Sequence, residues 1–183
     1  MSRRLNPLPQ LVADRLARIQ ENVDRSIWVR RERLAVEGSP VTDEMLDVRQ
    51  AASLLYTPVT AGEHFGAPHG DWSHRWFRVA IPAAREGERG RRFLRWKCQG
   101  ETTAFIDGVP WAGLDPGHPT CPLPDTAAVL YLDTATWQTG IWTPEPPEAI
   151  GPYGLRFDFA ELRIRDAAAL GPEVGPRRAP AAR

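Results

Sequence analysis

The sequence predicts a mainly β protein, a β-sandwich or jelly roll that is preceded by an amphipathic helical arm. Short apolar alternations recur from Tyr56 onward, and turn residues separate them, which is typical of a sandwich. No helical period lies between these alternations, which argues against βαβ units and a parallel sheet. The first forty residues carry instead a single apolar stripe at helical spacing.

The helical arm is predicted from apolar residues that recur every three or four positions. Asn6 and Pro7 are typical of a helix start, as the N-cap and the first helical residue. The stripe either packs on its own domain or docks on another domain or subunit. Gly38-Ser39-Pro40 breaks the pattern, and Thr42–Leu55 is a second helix or an irregular linker. The stripe consists of Leu8, Val12, Leu16, Ile19, Val23 and Ile27.

Seven or eight short strands are predicted after the arm. A slip in the alternation between Phe159 and Leu162 predicts a bulge or a turn there. We therefore expect a helical arm and linker in residues 1–55 and a β-sandwich in residues 56–166. Residues 167–183 are rich in Ala, Pro, Gly and Arg and are expected to be disordered. The strands lie around Phe77–Ile81, Leu94–Cys98, Thr102–Ile106, Val109–Trp111, Ala128–Leu132, Trp137–Ile141, Phe157–Phe159 and Leu162–Ile164.

The best-defined local signal is a hairpin turn at Asp107-Gly108. Thr102–Ile106 has the two-residue period of a strand, and Asp-Gly is a preferred pair for a two-residue turn. Pro110 in the following strand predicts an edge position, because proline cannot donate to a neighbouring strand. Asp107 is thus interpreted as a turn residue and not as a catalytic acid or nucleophile.

The overall composition excludes some classes of protein. The 183 residues carry 23 basic and 23 acidic side chains, and this zero net charge argues against a dedicated nucleic-acid binder. No apolar run reaches the length of a signal peptide or of a membrane span. Two cysteines, Cys98 and Cys121, are too few for a disulfide scaffold, so a cytoplasmic protein with free thiols is expected.

Catalytic and metal-binding motifs are weak. His64, His69 and His74 recur every five residues, which does not place ligands together, and no cysteine pair accompanies them. His69-Gly70-Asp71 has the form of a metal-binding pair but is interpreted as a polar loop. Neither a Gly-x-Ser-x-Gly elbow nor a His-Glu-x-x-His helix is present. No catalytic residue is therefore predicted.

The seven tryptophans suggest either a large aromatic core or a sugar-binding surface, since aromatic faces stack on sugar rings. Trp76, Trp96 and Trp137 lie in predicted strands and are assigned to packing. Candidates for exposed contacts to sugar lie beside loops, and they are Trp72, Trp111 and Trp142.

An ordered set of segments carries a family resemblance. From Gly62 to Val79 a Gly-rich, aromatic loop runs into a Trp-Phe-Arg-Val strand, and the strand Leu94–Cys98 follows. The run Phe105–Asp115 then combines Asp-Gly, Pro, Trp and Gly-Leu-Asp, with His118 and Pro122-Leu123-Pro124 after it. In their order and spacing, these segments resemble the N-terminal domain of cytosolic-type α-mannosidases, glycoside hydrolase family 38. Thr139–Trp142 and the leading helix fit the same resemblance. The resemblance covers roughly residues 8–166.

The resemblance implies a galactose-binding-like β-sandwich that precedes a catalytic domain. Enzymes of this family use a divalent metal, usually zinc, and an Asp nucleophile to hydrolyse α-mannosides with retention. Those residues lie in the catalytic domain, in a His-x-Asp motif, and we expect this chain to end before it. His69-Gly70-Asp71 falls in a loop of the sandwich and does not inherit the metal role.

Two functions are consistent with these observations. In the first, the chain is an accessory domain of a zinc-dependent α-mannosidase, inactive alone, that packs against the catalytic domain or supports its own oligomer. In the second, it is a free-standing carbohydrate-binding module that uses its loop tryptophans. Neither nucleic acid nor membrane is an expected partner, and no cofactor is expected in this chain itself.

Overall fold

The chain folds as two antiparallel sheets packed face to face. A computed structural model gives the structure and describes residues 8–68, 72–136 and 153–167. The helices are α1 (Leu8–Ile27) and α2 (Val48–Ala52), and the strands are β1 (Trp28–Leu34), β2 (Val36–Thr42), β3 (Thr57–Pro58), β4 (His64–Phe65), β5 (His74–Ile81), β6 (Arg92–Cys98), β7 (Thr102–Ile106), β8 (Val109–Leu114), β9 (Thr120–Pro122), β10 (Ala128–Ala135) and β11 (Leu155–Arg165).

Each sheet combines strands from distant parts of the sequence. Among the described strands, the five-stranded sheet has the order β1-β11-β6-β9, and β4 also pairs with β11. The six-stranded sheet has the order β3-β2-β5-β10-β7-β8. Every pairing between these strands is antiparallel. The predicted mainly β sandwich with a leading helix is confirmed.

The sandwich begins earlier in the chain than the sequence analysis placed it. Strands β1 and β2 lie inside the predicted arm and linker, yet Arg31 pairs with Arg163 and Val36 pairs with Val79. The start at Tyr56 was therefore wrong for the strands. β1 was missed because its sequence, Trp-Val-Arg-Arg-Glu-Arg-Leu, has charged residues on both faces, so no apolar alternation marks it.

An aromatic layer around Phe77 joins the two sheets. Phe77 of β5 is fully buried, and its ring lies 5.4 Å from Phe65, 5.2 Å from Trp96 and 5.8 Å from Phe157, all of the five-stranded sheet. Edge-to-face and offset stacking at these distances adds to the free energy of apolar burial. The aliphatic residues around this layer include Val79, Leu94, Leu130, Leu132, Leu155, Leu162 and Ile164.

Both cysteines lie in this core as free thiols. Burial raises the pKa of Cys121 to about 12 and raises that of Cys98 further. The thiolate is the reactive form of cysteine, so both side chains behave as small apolar residues.

The outer face of the six-stranded sheet is partly covered by α2. Asp47 caps α2 by accepting from the backbone N–H groups of Arg49 and Gln50, and the Gln50 side chain accepts in return from the Asp47 N–H. Beneath the helix, Trp76 packs with Ala51 and Tyr56, whose hydroxyl donates to the Ala51 carbonyl at 3.0 Å. α2 lies within the segment that was expected to be a second helix or a linker.

The β7–β8 hairpin turns at Asp107-Gly108. Ile106 pairs with Val109, so only two residues form the loop, and their φ angles are 52° and 78°. Two successive positive φ angles define a type I′ turn, which fits the twist of the flanking strands. β8 is an edge strand, which is where Pro110 predicts it.

Helix α1 contacts the sandwich mainly through its C-terminal end. Asp24 accepts from Arg163 at 2.8 Å and forms an ion pair with Arg31 at 3.0 Å. Upstream, the apolar stripe is open to solvent: Leu16 and Ile19 are each 58% exposed. No described helix is long and apolar enough to cross a membrane.

One further expectation is corrected by the structure, and two others are not tested by it. β11 runs without interruption from Leu155 to Arg165, and its register shift lies between Phe157 and Phe159, not between Phe159 and Leu162. The predicted strand at Trp137–Ile141 and residues 168–183 of the predicted tail lie outside the described residues.

Two glycines with positive φ provide a matched test of the packing between β6 and β7. At Gly100 (φ 95°), a Cβ atom would lie 2.7 Å from the Ala135 carbonyl oxygen and from Leu155 Cδ1. At Gly87 (φ 78°), a Cβ atom would meet nothing within 4 Å. We expect Gly87→Ala to lower the free energy of unfolding by about 1 kcal/mol through backbone strain alone. Gly100→Ala should cost about 3 kcal/mol or more, because overpacking adds to the strain. Urea unfolding measures both, and equal losses would contradict the close packing at Gly100.

Candidate ligand-binding cleft

A polar cleft of about 500 Å³ opens at one end of the six-stranded sheet. Asp133 of β10 pairs with Thr103 of β7, and Thr103 pairs with Gly113 of β8, so these three residues form one row across the sheet. Their neighbours Thr134, Thr102 and Leu114 are buried, which places the row on the outer face. The cleft is completed by His74, Glu101, Asp115 and His118.

One side of the cleft is a hydrogen-bonded imidazole and carboxylate. His74 Nδ1 lies 2.8 Å from Asp133 Oδ1, and both side chains are about one-fifth exposed. Burial raises the pKa of Asp133, although the hydrogen bond from His74 works against the rise. The carboxylate is therefore held in a site that stabilises its charge less well than water does.

The opposite side is the turn between β8 and β9. Asp115 Oδ1 accepts from the backbone N–H groups of Gly117 at 2.6 Å and His118 at 2.7 Å, and Oδ2 lies 3.0 Å from His118 Nδ1. Burial acts to raise the pKa of Asp115, but these hydrogen bonds outweigh it and hold the pKa below its usual range. Asp115 is thus an ionised turn carboxylate whose oxygens are largely occupied.

The cleft does not have the geometry of a metal centre. Within the described residues, no group of three or more His, Cys, Asp and Glu side chains is placed to hold a metal ion. Zinc requires about four ligands in tetrahedral positions, so the described part of this chain does not fit it.

The three tryptophans expected to contact sugar do not converge. Trp72 is 65% exposed and lies two residues before His74. Trp111 is 44% exposed, and its Nε1 donates to the Pro122 carbonyl at 2.8 Å, so it bridges β8 and β9 and does not line the cleft. Trp142 and His69-Gly70-Asp71 lie outside the described residues. Asp107 and Gly108 lie at the margin of a different, mostly apolar depression of about 690 Å³.

Sequence reasoning missed His74 and Asp133 as a pair. They are separated by 59 positions, and only the pairing of β5 with β10 brings them together. The sequence did indicate each residue separately, because the alternation of β5 and of β10 places His74 and Asp133 at outward positions.

Comparison with known families decides the classification. The family model described as "Alpha-mannosidase, jelly roll domain" matches residues 31–136, more than half of the chain. The chain belongs to this family. The matched part of this α-mannosidase jelly roll domain begins within β1, ends just after β10 and includes every residue that lines the cleft.

Other comparisons are distant. The chain is similar to a beta-glucuronidase from Faecalibacterium prausnitzii with a TM-score of 0.46 and 10% sequence identity. That likeness covers 74% of this chain and 31% of the glucuronidase chain. No curated protein matches the chain.

The raised pKa of Asp133 predicts a pH-dependent loss of stability. Its ionisation is less favourable in the folded chain than in the unfolded chain, where the pKa is near 3.8. The wild type therefore loses stability as the pH rises from about 4 through the folded pKa. Asp133→Asn carries no charge and still accepts a hydrogen bond from His74, so it should lack this loss. We expect the unfolding free energy of the variant, relative to the wild type, to rise over this range in urea titrations at each pH.

The control is the same comparison in a His74→Gln background, which removes the titration of the imidazole. There the relative gain of the Asn variant should be larger, because Gln can still donate a hydrogen bond but no longer supplies the coulombic attraction by which His74 lowers the pKa of Asp133. A difference that does not change with pH in either background would contradict the desolvation of Asp133.

Proposed function

We propose that the chain is the N-terminal accessory domain of a zinc-dependent α-mannosidase, and that the hydrolysis of α-mannosides takes place in a catalytic domain outside these residues. The match of the jelly roll family to residues 31–136 carries the proposal. The proposal assigns the zinc site to the catalytic domain, and no described group of side chains in this chain is placed to hold a metal ion. The buried free thiols of Cys98 and Cys121 support a cytoplasmic location.

The exposed stripe of α1 supports a packing role for this domain. A groove of about 500 Å³ lies between α1 and the five-stranded sheet, and its lining combines apolar and charged side chains: Ile19, Gln20, Glu21, Val23, Asp24, Ile27 and Arg95. An amphipathic helix gains most of its stability from covering its apolar face, and here most of that face is uncovered. We infer that α1 packs against the catalytic domain or against a second copy of the chain.

Arg95 is the basic side chain of this groove and lies among Glu21, Asp24 and apolar residues of α1. Burial and the nearby Arg163 lower the pKa of Arg95, and its guanidinium lies 5.6 Å from the centre of the Phe159 ring. No described carboxylate forms an ion pair with it. Asp24 and Glu161 already act on Arg95 through space, so a partner carboxylate would add a direct ion pair to the charges that are present.

The chain alone should not hydrolyse an aryl α-mannoside. Production of residues 1–183, addition of zinc and measurement of the released phenol test this directly. We expect no release above the rate without protein, because the chemistry is assigned to the other domain. Turnover that follows the folded chain through purification would overturn the assignment.

The stripe predicts that a charge on one face of α1 disturbs assembly while the same charge on the other face does not. Ile19 and Ala17 are both exposed, and they lie two positions apart and so on opposite sides of the helix. Ile19→Glu and Ala17→Glu should each change the unfolding free energy of the chain by no more than about 0.5 kcal/mol. In the complete protein, only Ile19→Glu should lower α-mannosidase activity or thermal stability, or alter the oligomer in size-exclusion chromatography. Equal behaviour of the two variants would show that the stripe is not an interface.

A further inference from the structure

We propose that the cleft at His74, Asp133, Thr103 and Gly113 binds a neutral pyranoside through two adjacent ring hydroxyl groups. This inference goes beyond the accessory-domain role, since the binding site is complete within this chain and does not need a catalytic domain. It also places sugar binding away from the position of Trp111.

The shape of the cleft suits a flat ring. Its volume of about 500 Å³ lies within the range of small-molecule sites, roughly 300–1,000 Å³. Gly113 belongs to the edge strand β8, and a Cβ atom built on it would meet nothing within 4 Å. The backbone at Gly113 and the side chain of Thr103 thus form an open floor on which a ring can rest.

The His74–Asp133 pair offers two acceptors side by side. In the tautomer that carries its proton on Nδ1, His74 donates to Asp133 Oδ1, and Asp133 Oδ2 and His74 Nε2 are then the acceptors that remain. No other described residue hydrogen-bonds to either side chain. Two neighbouring hydroxyls of one sugar ring can each donate to one of these atoms, and the bond to the carboxylate is the stronger because its acceptor is charged.

Charge selects among polar ligands. Asp133, Asp115 and Glu101 surround the cleft, whereas His74 and His118 are the only described basic side chains in its lining. With neutral imidazoles the cleft is negative, so it disfavours phosphates and sugar acids. No described group in the cleft is placed to hold a metal ion, and a neutral polyol can donate hydrogen bonds to the carboxylates without bringing a like charge into the cleft.

Trp72 is an independent indication of a functional site at this end of the sheet. Its φ of 64° is in the left-handed region, which is strained for a bulky residue. Such strain concentrates at ligand sites, where the surrounding structure maintains it. Trp72 is mostly exposed and only Ser73 separates it in sequence from His74, so its indole resonance is a useful reporter of binding at this end of the sheet.

The test is an NMR titration of the chain with methyl α-mannopyranoside at pH 7, with the imidazole and indole resonances as readouts. We expect saturable shifts of the His74 and His118 imidazoles and of the Trp72 indole. The Trp111 indole should not shift. The matched uronic acid, methyl glucuronide, should shift the same signals only at about tenfold higher concentration, since its carboxylate meets a negative cleft.

Asp133→Asn is the decisive variant, because it keeps the hydrogen bond with His74 and removes the charged acceptor. Loss of a hydrogen bond to a charged group corresponds to about a tenfold or greater increase in the dissociation constant. Glu86→Gln is the matched control, since Glu86 is an exposed carboxylate just beyond the opposite end of β5. It should bind as the wild type does, and near-ultraviolet circular dichroism checks that each variant is folded.

Three results would overturn the proposal. The first is the absence of saturable shifts at the His74 imidazole up to about 100 mM sugar, where even a millimolar site would be filled. The second is an equal dissociation constant for Asp133→Asn and the wild type. The third is imidazole shifts that appear with calcium alone and vanish with a chelator, which would make the cleft a cation site.

Discussion

The burial of Phe77 between the two sheets is the constraint on which the rest of the structure depends. Its ring contacts Phe65, Trp96 and Phe157, which belong to three different strands of the opposite sheet. Side chains alternate along a strand, so an inward Phe77 requires that Trp76 and His74 point outward. The apolar core thereby determines which residues form the outer surface, and a slip of one residue in β5 would reverse both faces.

Arg75 is the charged residue that the alternation of β5 places on the inner face, at the end of the apolar core. It points inward beside Phe77 and is buried, which is unfavourable for a charged group without partners. Its guanidinium is held by Glu63 at 2.8 Å and by the Ser39 carbonyl at 3.0 Å, and it lies 5.1 Å from the centre of the Phe77 ring. Arg75 thus ends the apolar layer on the inner side of β5, at the position next to His74 of the cleft.

Features that depend on neighbouring residues were predictable from the sequence, and those that depend on distant pairing were not. The period of α1, the apolar alternation of β5 and the turn at Asp107-Gly108 are local and could be read directly. β1 escaped prediction because its charged side chains form ion pairs with residues far along the chain, such as Arg30 with Glu88. The pairing of His74 with Asp133 likewise depends on strand register, which a single sequence does not specify.

The pairing of β1 with β11 has a consequence for synthesis on the ribosome. Leu34 pairs with Ala160 and Trp28 pairs with Arg165, so the first strand of the sandwich has no partner until almost the whole domain has been made. Contacts of such large sequence separation close late and slow folding. β1 therefore emerges from the ribosome without its partner strand, and its backbone N–H and C=O groups stay unpaired until β11 has also left the exit tunnel, whereas β2 finds β3 and β5 much earlier.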